Sequence, residues 1–475
     1  MNSEIPMIIQ GGMGAGVSNW RLARAVSWLG QLGVVAGTAL DEIMSRRLQD
    51  GDAEGHVRRA LEHFPFPKIA QKILDAYFIP GGRDAAAPYK TSRMHTVPAS
   101  LPAQEMCIAA NFVEVFLARE GHAGPVGINF LEKIQMPHLP SLYGAMLAGV
   151  AVVIVGAGIP MEFPAAIAAL AEHQPASYSL NVAGARADEP VRMTLDPAAF
   201  MEAGQPLPPL AKPAFLPIVS SGTLATMMVR RIKGDMAGFI IEGPLAGGHN
   251  APPRGQMQFT ADGQPVYGSR DVVDLAVFRE LGLPFWLAGG YGSPEKIKEA
   301  LALGASGVQV GTAFALCLES GLAPGIRREL AAKALAGKAR VFTDAQASPT
   351  GFPFKVAELE GTLSDEAVYR QRKRVCDLGF LRELYRKPDG AIGYRCAAEP
   401  EKAFLAKGGS AENLAGRKCL CNALVANIGM PQRLANGSAE LPLVTLGDDF
   451  ENIGRFCKAG QPDYTAGDVI RVLLG

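Results

Sequence analysis

What most constrains this chain is a rhythm between residues 6 and 310. Short apolar runs recur there, each closed by a turn: Pro6–Gln10, Gly33–Thr38, Val126–Phe130, Ala151–Val155, Phe215–Ser220, Phe239–Ile241, Phe285–Ala288 and Gly307–Val310. Runs that are apolar on both faces read as buried parallel strands. The stretches between them carry helical spacing, among them Ser18–Leu29, Ala103–Arg119, Leu139–Ala148, Phe163–His173, Leu224–Ile232, Asp271–Leu281 and Pro294–Leu303. Ser18 is placed to cap the first of these helices. Eight strands alternating with helices predict a (β/α)8 TIM barrel, with a doubly wound open sheet as the alternative.

Three stretches depart from the rhythm. Residues 41–102 are too long for a strand-to-helix loop and predict an insertion of two or three amphipathic helices. Residues 176–196 alternate in places (Tyr178, Leu180, Val182, then Val191, Met193, Leu195), which predicts a hairpin outside the barrel. From about Asp344 the rhythm stops. At 475 residues the chain therefore divides into a barrel over 1–343 and a cysteine-containing C-terminal extension over 344–475.

Lysine plus arginine and aspartate plus glutamate both number 46, so no net charge draws the chain to nucleic acid or an anionic membrane. The long uncharged run Leu142–Met161 is broken by Gly144, Gly149, Gly156 and Gly158, and predicts a buried helix followed by a buried strand rather than a membrane span. Glu4 stands where a secretory signal would be basic, and seven cysteines is an odd number. Both point to a reducing cytoplasm. Oligomeric state stays open, a homodimer included.

In a barrel, chemistry collects at the C-terminal ends of the strands. Those ends read Gly11-Gly12-Met13, Asn129, Glu242 through Gly247-Gly248-His249, Gly289-Gly290, and Gln309-Val310-Gly311-Thr312. The spacing of Gly11, Gly12, Gly14 and Gly16 does not fit a dinucleotide fingerprint. The last two loops follow strands seven and eight, where barrels commonly bind phosphate through glycine N–H groups and a helix start. His249 is the one histidine delivered by a strand end. His56, His63, His95, His122, His138 and His173 lack partnered spacing and are expected at the surface or at helix caps.

These five motifs, in this order, resemble those of the nitronate monooxygenase (2-nitropropane dioxygenase) family of FMN barrels. Flavin-dependent enoyl reductases, including those of polyunsaturated fatty acid synthases, are close relatives. The resemblance spans about residues 5–320. It implies that Gly11, Gly12 and Met13 pass under the flavin ring with Asn129 near it, and that Gly247 and Gly248 flank the cofactor. It also implies that Gly289 and Gly290 form the phosphate turn, that Gln309, Val310, Gly311 and Thr312 hold the phosphate, and that His249 is catalytic. One departure stands out: Glu242 occupies a place where many members have glutamine. A carboxylate there must be paired or protonated, and Arg254 and Lys133 are both candidate partners.

The implied activity is FMN-dependent oxidation of an alkyl nitronate or nitroalkane by O2 to a carbonyl compound and nitrite. The alternative is NAD(P)H-dependent reduction of an enoyl thioester. A non-catalytic barrel that binds a phosphorylated ligand is a third reading, and it would have no need of His249. Cys376, Cys396, Cys419 and Cys421 suggest an iron–sulfur cluster, a structural zinc or buried apolar thiols. Their spacing matches no standard knuckle, so no metal is assigned from sequence. No chemistry is assigned to residues 343–355, a Gly/Pro-containing segment that returns from the barrel.

Overall fold

The computed structural model describes residues 5–186, 188–202, 207–232, 236–434, 436–458 and 461–475. Its centre is a parallel sheet of eight strands: β1 (Ile8–Gln10), β2 (Gly33–Ala36), β3 (Val126–Leu131), β4 (Val152–Gly156), β5 (Ala214–Val219), β6 (Phe239–Glu242), β7 (Phe285–Ala288) and β8 (Gly307–Val310). Each strand pairs with its neighbour in sequence from β2 to β8, and β8 pairs in turn with β1, Ile8 opposite Val308. The last seam closes at one point. Leu32 bridges Ile9, donating to Ile8 O at 3.1 Å and accepting from Gln10 N at 2.9 Å. The Gln10 side chain prolongs that seam, its Oε1 accepting from Val34 N at 2.9 Å. The sheet is thus a TIM barrel and not an open sheet.

Alternation along the strands divides the apolar residues between two cores. Ile9, Leu32, Val34, Ile154, Leu216, Ile240 and Trp286 fill the barrel interior. Their neighbours Ile8, Val35, Val153, Phe215 and Phe239 face the surrounding helices. Trp286 brings a polar group into the interior, and its Nε1 donates to Pro6 O at 3.0 Å.

The first helix, Trp20–Trp28, is capped by Asn19, which accepts from Leu22 N at 3.0 Å, and not by Ser18. Ser18 lies one residue too early. Its buried hydroxyl instead donates to Gly11 O at 3.0 Å and accepts from Met13 N at 2.9 Å, pinning the Gly11–Met13 loop. Residues 41–102 hold the helices Leu40–Gln49, His56–Glu62 and Pro67–Tyr77. His95 and His138 are buried rather than on the surface. Asp41 accepts His95 Nε2 at 2.9 Å, and His138 Nε2 lies 3.1 Å from Leu131 O. The hairpin is present, Ala176–Ser179 pairing antiparallel with Arg192–Leu195.

The run Leu142–Met161 is split between the helix His138–Leu147 and β4. Among the described residues one helix, Leu101–Arg119, is long and apolar enough to cross a membrane, but 83% of its apolar window is buried against the rest of the protein. That is how a core helix sits.

The segment after β8 folds back over the C-terminal face of the barrel. Val341–Asp344 pairs antiparallel with Phe354–Ala357, so one hairpin straddles position 343. Glu383–Arg386 pairs with Ile392–Arg395 and, in parallel, with Val182–Ala183. Arg372 and Glu440 form a buried two-pronged ion pair at 2.8 and 2.6 Å. Tyr464 Oη donates to Ala313 O at 2.7 Å, and the helix Ala466–Leu474 packs on Trp20–Trp28.

Candidate active site

The fourteen residues singled out at the strand ends line a single cavity. Gly11, Gly12, Met13 and Asn129 come from β1 and β3, and Glu242, Gly247, Gly248 and His249 from the end of β6. Gly289, Gly290, Gln309, Val310, Gly311 and Thr312 close the far side, after β7 and β8. The space is about 1510 Å³ counting its open mouth, ample for a cofactor plus part of a substrate.

The lining is shaped for a ligand that lies against backbone. A Cβ on Gly12 would stand 1.9 Å from Asn129 Oδ1, so any larger residue there would push that amide aside. Asn129 Oδ1 is itself buried without a hydrogen-bond partner, an acceptor aimed at something the chain does not supply. At the opposite end, among the described residues, the N–H groups of Gly290, Tyr291 and Gly311 have no acceptor. Gly290 is left-handed at φ +81°, opening the turn just before the helix Pro294–Ala302 and its cap Ser293. Free N–H groups around a turn suit an anion. The Thr312 hydroxyl already accepts Gly447 N at 2.9 Å, so toward a phosphate it acts as donor only. Asp449 shares this end, its carboxyl pushed up by burial. That group suits a ligand hydroxyl better than a phosphate oxygen.

The opposite wall is electrostatically unusual. Burial pushes the Glu242 carboxyl up to about 8, with the charge of Lys133 opposing only in part. Burial pushes the Lys133 ammonium down to about 7, with Glu242 opposing. Lys133 Nζ has no hydrogen-bond partner and lies 2.9 Å from the centre of the Phe352 ring. Arg254, the other candidate, is spent on backbone: it donates to Arg270 O and Ser220 O, each at 2.6 Å. Lys133 is therefore the charge that Glu242 feels, and at neutral pH Glu242 is largely the uncharged acid. A carboxyl in that form can replace glutamine without placing a negative charge beside a ligand.

Burial, and then Lys133, hold His249 down to about 3, so its imidazole is neutral at any working pH. Its Nε2 lies 2.7 Å from Ser348 Oγ, which in turn is 2.8 Å from Thr350 Oγ1. The ring stands edge-on to Phe354 at 4.9 Å. Ser348, Thr350 and Phe354 belong to the returning segment to which sequence reasoning assigned no chemistry. Nothing in its spacing marks Ser348; only the chain reversal brings it to the histidine. Backbone bonds fix the arrangement, Lys355 N donating to Gly248 O at 2.9 Å and Gly248 N to Thr445 Oγ1 at 2.8 Å. Phe380, Leu381, Leu420, Cys421 and Leu446 of the extension complete the wall.

A second cavity of about 1010 Å³ adjoins the first. The two share Ala157, Ile218, Glu242 and His249, and the second continues past Lys133 and Tyr267 to an exposed Arg254.

Fold and site together define a TIM barrel with a glycine-lined cavity at its C-terminal face, one end of which carries free backbone N–H groups. Residues 210–346 match the family model of nitronate monooxygenase. The match marks the chain as an oxidoreductase and supports a flavin as its cofactor. No curated protein matches the sequence. Among solved structures, FabK from Thermotoga maritima aligns at 16% identity and TM-score 0.46, over 98% of this chain and 91% of its own. Nitroalkane oxidase from Streptomyces ansochromogenes aligns at 16% and 0.45, over 99% and 95%. The enoyl reductase domain of MlnA from Bacillus amyloliquefaciens aligns at 12% and 0.45, over 98% and 92%. At these TM-scores none of the three bears on what this chain does.

Proposed function

We propose that this protein is an FMN-dependent oxidoreductase whose substrate is the acyl chain of an enoyl thioester, reduced with NAD(P)H as electron source. The observation that carries the substrate class is the second cavity, which meets the first at His249 and Glu242 and runs on past Tyr267 to Arg254 and Asp271. A small nitronate has no use for that length, whereas a thioester with its carrier arm does. FMN, rather than a dinucleotide flavin, is supported by the misfit of the Gly11–Gly16 spacing to a dinucleotide fingerprint.

In this reading Gly11, Gly12, Met13, Asn129, Gly247 and Gly248 would hold the ring of FMN, and the turns Gly289–Gly290 and Gln309–Thr312 would hold its phosphate. FMN bound there would supply the hydride transfer. The chain supplies position and protons. His249, being neutral, polarises a thioester carbonyl from Nδ1 when Ser348 donates to Nε2. Glu242, in its acid form beside Lys133, is a proton source at the junction of the two cavities.

The family match over residues 210–346 favours a second reading, oxidation of alkyl nitronates with O2. There Ser348 accepts from Nε2–H, leaving the Nδ1 lone pair to take the α-proton of a neutral nitroalkane.

The test is the visible spectrum of the purified protein under anaerobic conditions, with NADPH and, separately, with propyl-2-nitronate. Bleaching by NADPH and recovery on adding crotonyl-CoA supports the thioester reading. Bleaching by nitronate alone transfers the assignment to nitronate oxidation. A colourless protein that FMN cannot reconstitute removes both.

A further inference from the structure

Two residues in the wall of the second cavity each carry a buried polar atom with nothing to bond. Asn250 is 2% exposed, and its Oδ1 has no hydrogen-bond partner. Its Nδ2 donates to Ala246 O at 3.0 Å, which settles the direction of the side-chain amide and leaves the oxygen as its free end. The backbone fixes the residue as well, Asn250 N donating to Pro353 O at 3.0 Å. The second atom is Lys133 Nζ.

Lys133 is not used up as the counter-charge of Glu242. The two feel each other's charge with no hydrogen bond between them, and Nζ rests on the Phe352 ring. A buried donor and a buried acceptor left open both cost stability, so each calls for a partner from outside the chain.

The rest of the wall includes Ile159, Ile218, Leu224, Pro252 and Phe352. A matching ligand therefore offers an acceptor to Lys133, a donor to Asn250 and apolar surface elsewhere. A carboxylate has no donor to give the Asn250 oxygen, and a plain alkyl chain leaves both atoms open. A secondary amide carries both groups, a C=O that accepts and an N–H that donates. Lys133 can donate an N–H with or without its charge, so the match does not turn on its titration.

We propose that Lys133 and Asn250 form an amide-reading subsite, Lys133 Nζ donating to an amide carbonyl and Asn250 Oδ1 accepting an amide N–H. The inference rests on the enoyl-thioester reading and assigns the segment of the substrate that fills the second cavity: a pantetheine arm, which carries two amides in series. The second cavity meets the first at His249 and Glu242, so an acyl group held beside His249 sends its arm past Lys133. The subsite selects carrier thioesters over thioesters with an alkyl tail, because the latter leave its polar atoms unpaired.

The test reads binding without turnover. The purified, oxidised protein is titrated calorimetrically, in the absence of NADPH, with butyryl-pantetheine and with S-hexyl thiobutyrate. Wild type should bind the pantetheine thioester about 10- to 100-fold more tightly. Lys133→Met keeps the stem on Phe352 and removes the donor, and it should shrink that ratio about tenfold. If this variant fails to fold, the wild-type ratio decides alone. Equal affinity of wild type for the two thioesters, binding of neither, or a ratio unchanged in Lys133→Met overturns the subsite. Failure of crotonyl-CoA to reoxidise the NADPH-reduced protein, with the binding ratio intact, overturns the reduction reading and leaves the subsite standing.

Discussion

Replacing Glu242 with glutamine (E242Q) tests the electrostatics of the site directly. The folded carboxyl ionises at about 8, against an ordinary value of 4.5. Between those pH values the folded chain keeps a proton that the unfolded chain has lost, so stability falls as pH rises. Lys133 acts in another window. Its ammonium is lowered from 10.5 to about 7 and contributes a rise in stability above about pH 7. The range from pH 5 to 7 therefore isolates Glu242. Two pH units there are worth at most about 2.7 kcal/mol, and water in the cavity reduces this to roughly 2. Glutamine mimics the protonated acid and does not titrate. Urea unfolding of the flavin-free proteins at pH 5, 6 and 7 should show wild type losing about 2 kcal/mol relative to E242Q. Titrating groups that do not touch Glu242 cancel in that difference. Curves that stay parallel across the range would refute a protonated Glu242.

Further outcomes follow from contacts in the structure. Gly12→Ala drives a Cβ to 1.9 Å from Asn129 Oδ1. Flavin retention on dialysis should weaken roughly 10- to 100-fold, the equivalent of about 1–3 kcal/mol of overpacking. Ser348→Ala removes the 2.7 Å partner of His249. Turnover should drop about fivefold with the flavin spectrum unchanged, whereas His249→Ala should cost about 10²–10⁴-fold. Thr445→Val leaves Gly248 N without its 2.8 Å acceptor, so the urea midpoint should fall by the equivalent of about 1–3 kcal/mol.

The architecture and the location of the site were legible in sequence for one physical reason. A parallel strand buried on both faces is an uninterrupted apolar run, and a barrel puts every such run's C-terminal end on the same face. Once the eight runs are counted, Gly12, Asn129, His249 and Gly290 must be neighbours, although 278 positions separate the first from the last. Local turn chemistry was readable on the same ground, apart from offsets such as Asn19 taking the cap expected of Ser18.

Tertiary structure alone decided what depends on burial and on contacts between distant segments. Glu242 is an acid because the fold removes water from it, and Lys133 rather than Arg254 faces it because Arg254 is held by two carbonyls. Ser348 reaches His249, and Gly447 takes the Thr312 hydroxyl, because the segment after β8 reverses over the barrel mouth. Cys376, Cys396, Cys419 and Cys421 converge for the same reason, and among the described residues no three ligating side chains are placed to hold a metal. Neither desolvation nor long-range convergence leaves a periodic trace along a chain, so no spacing could have announced them.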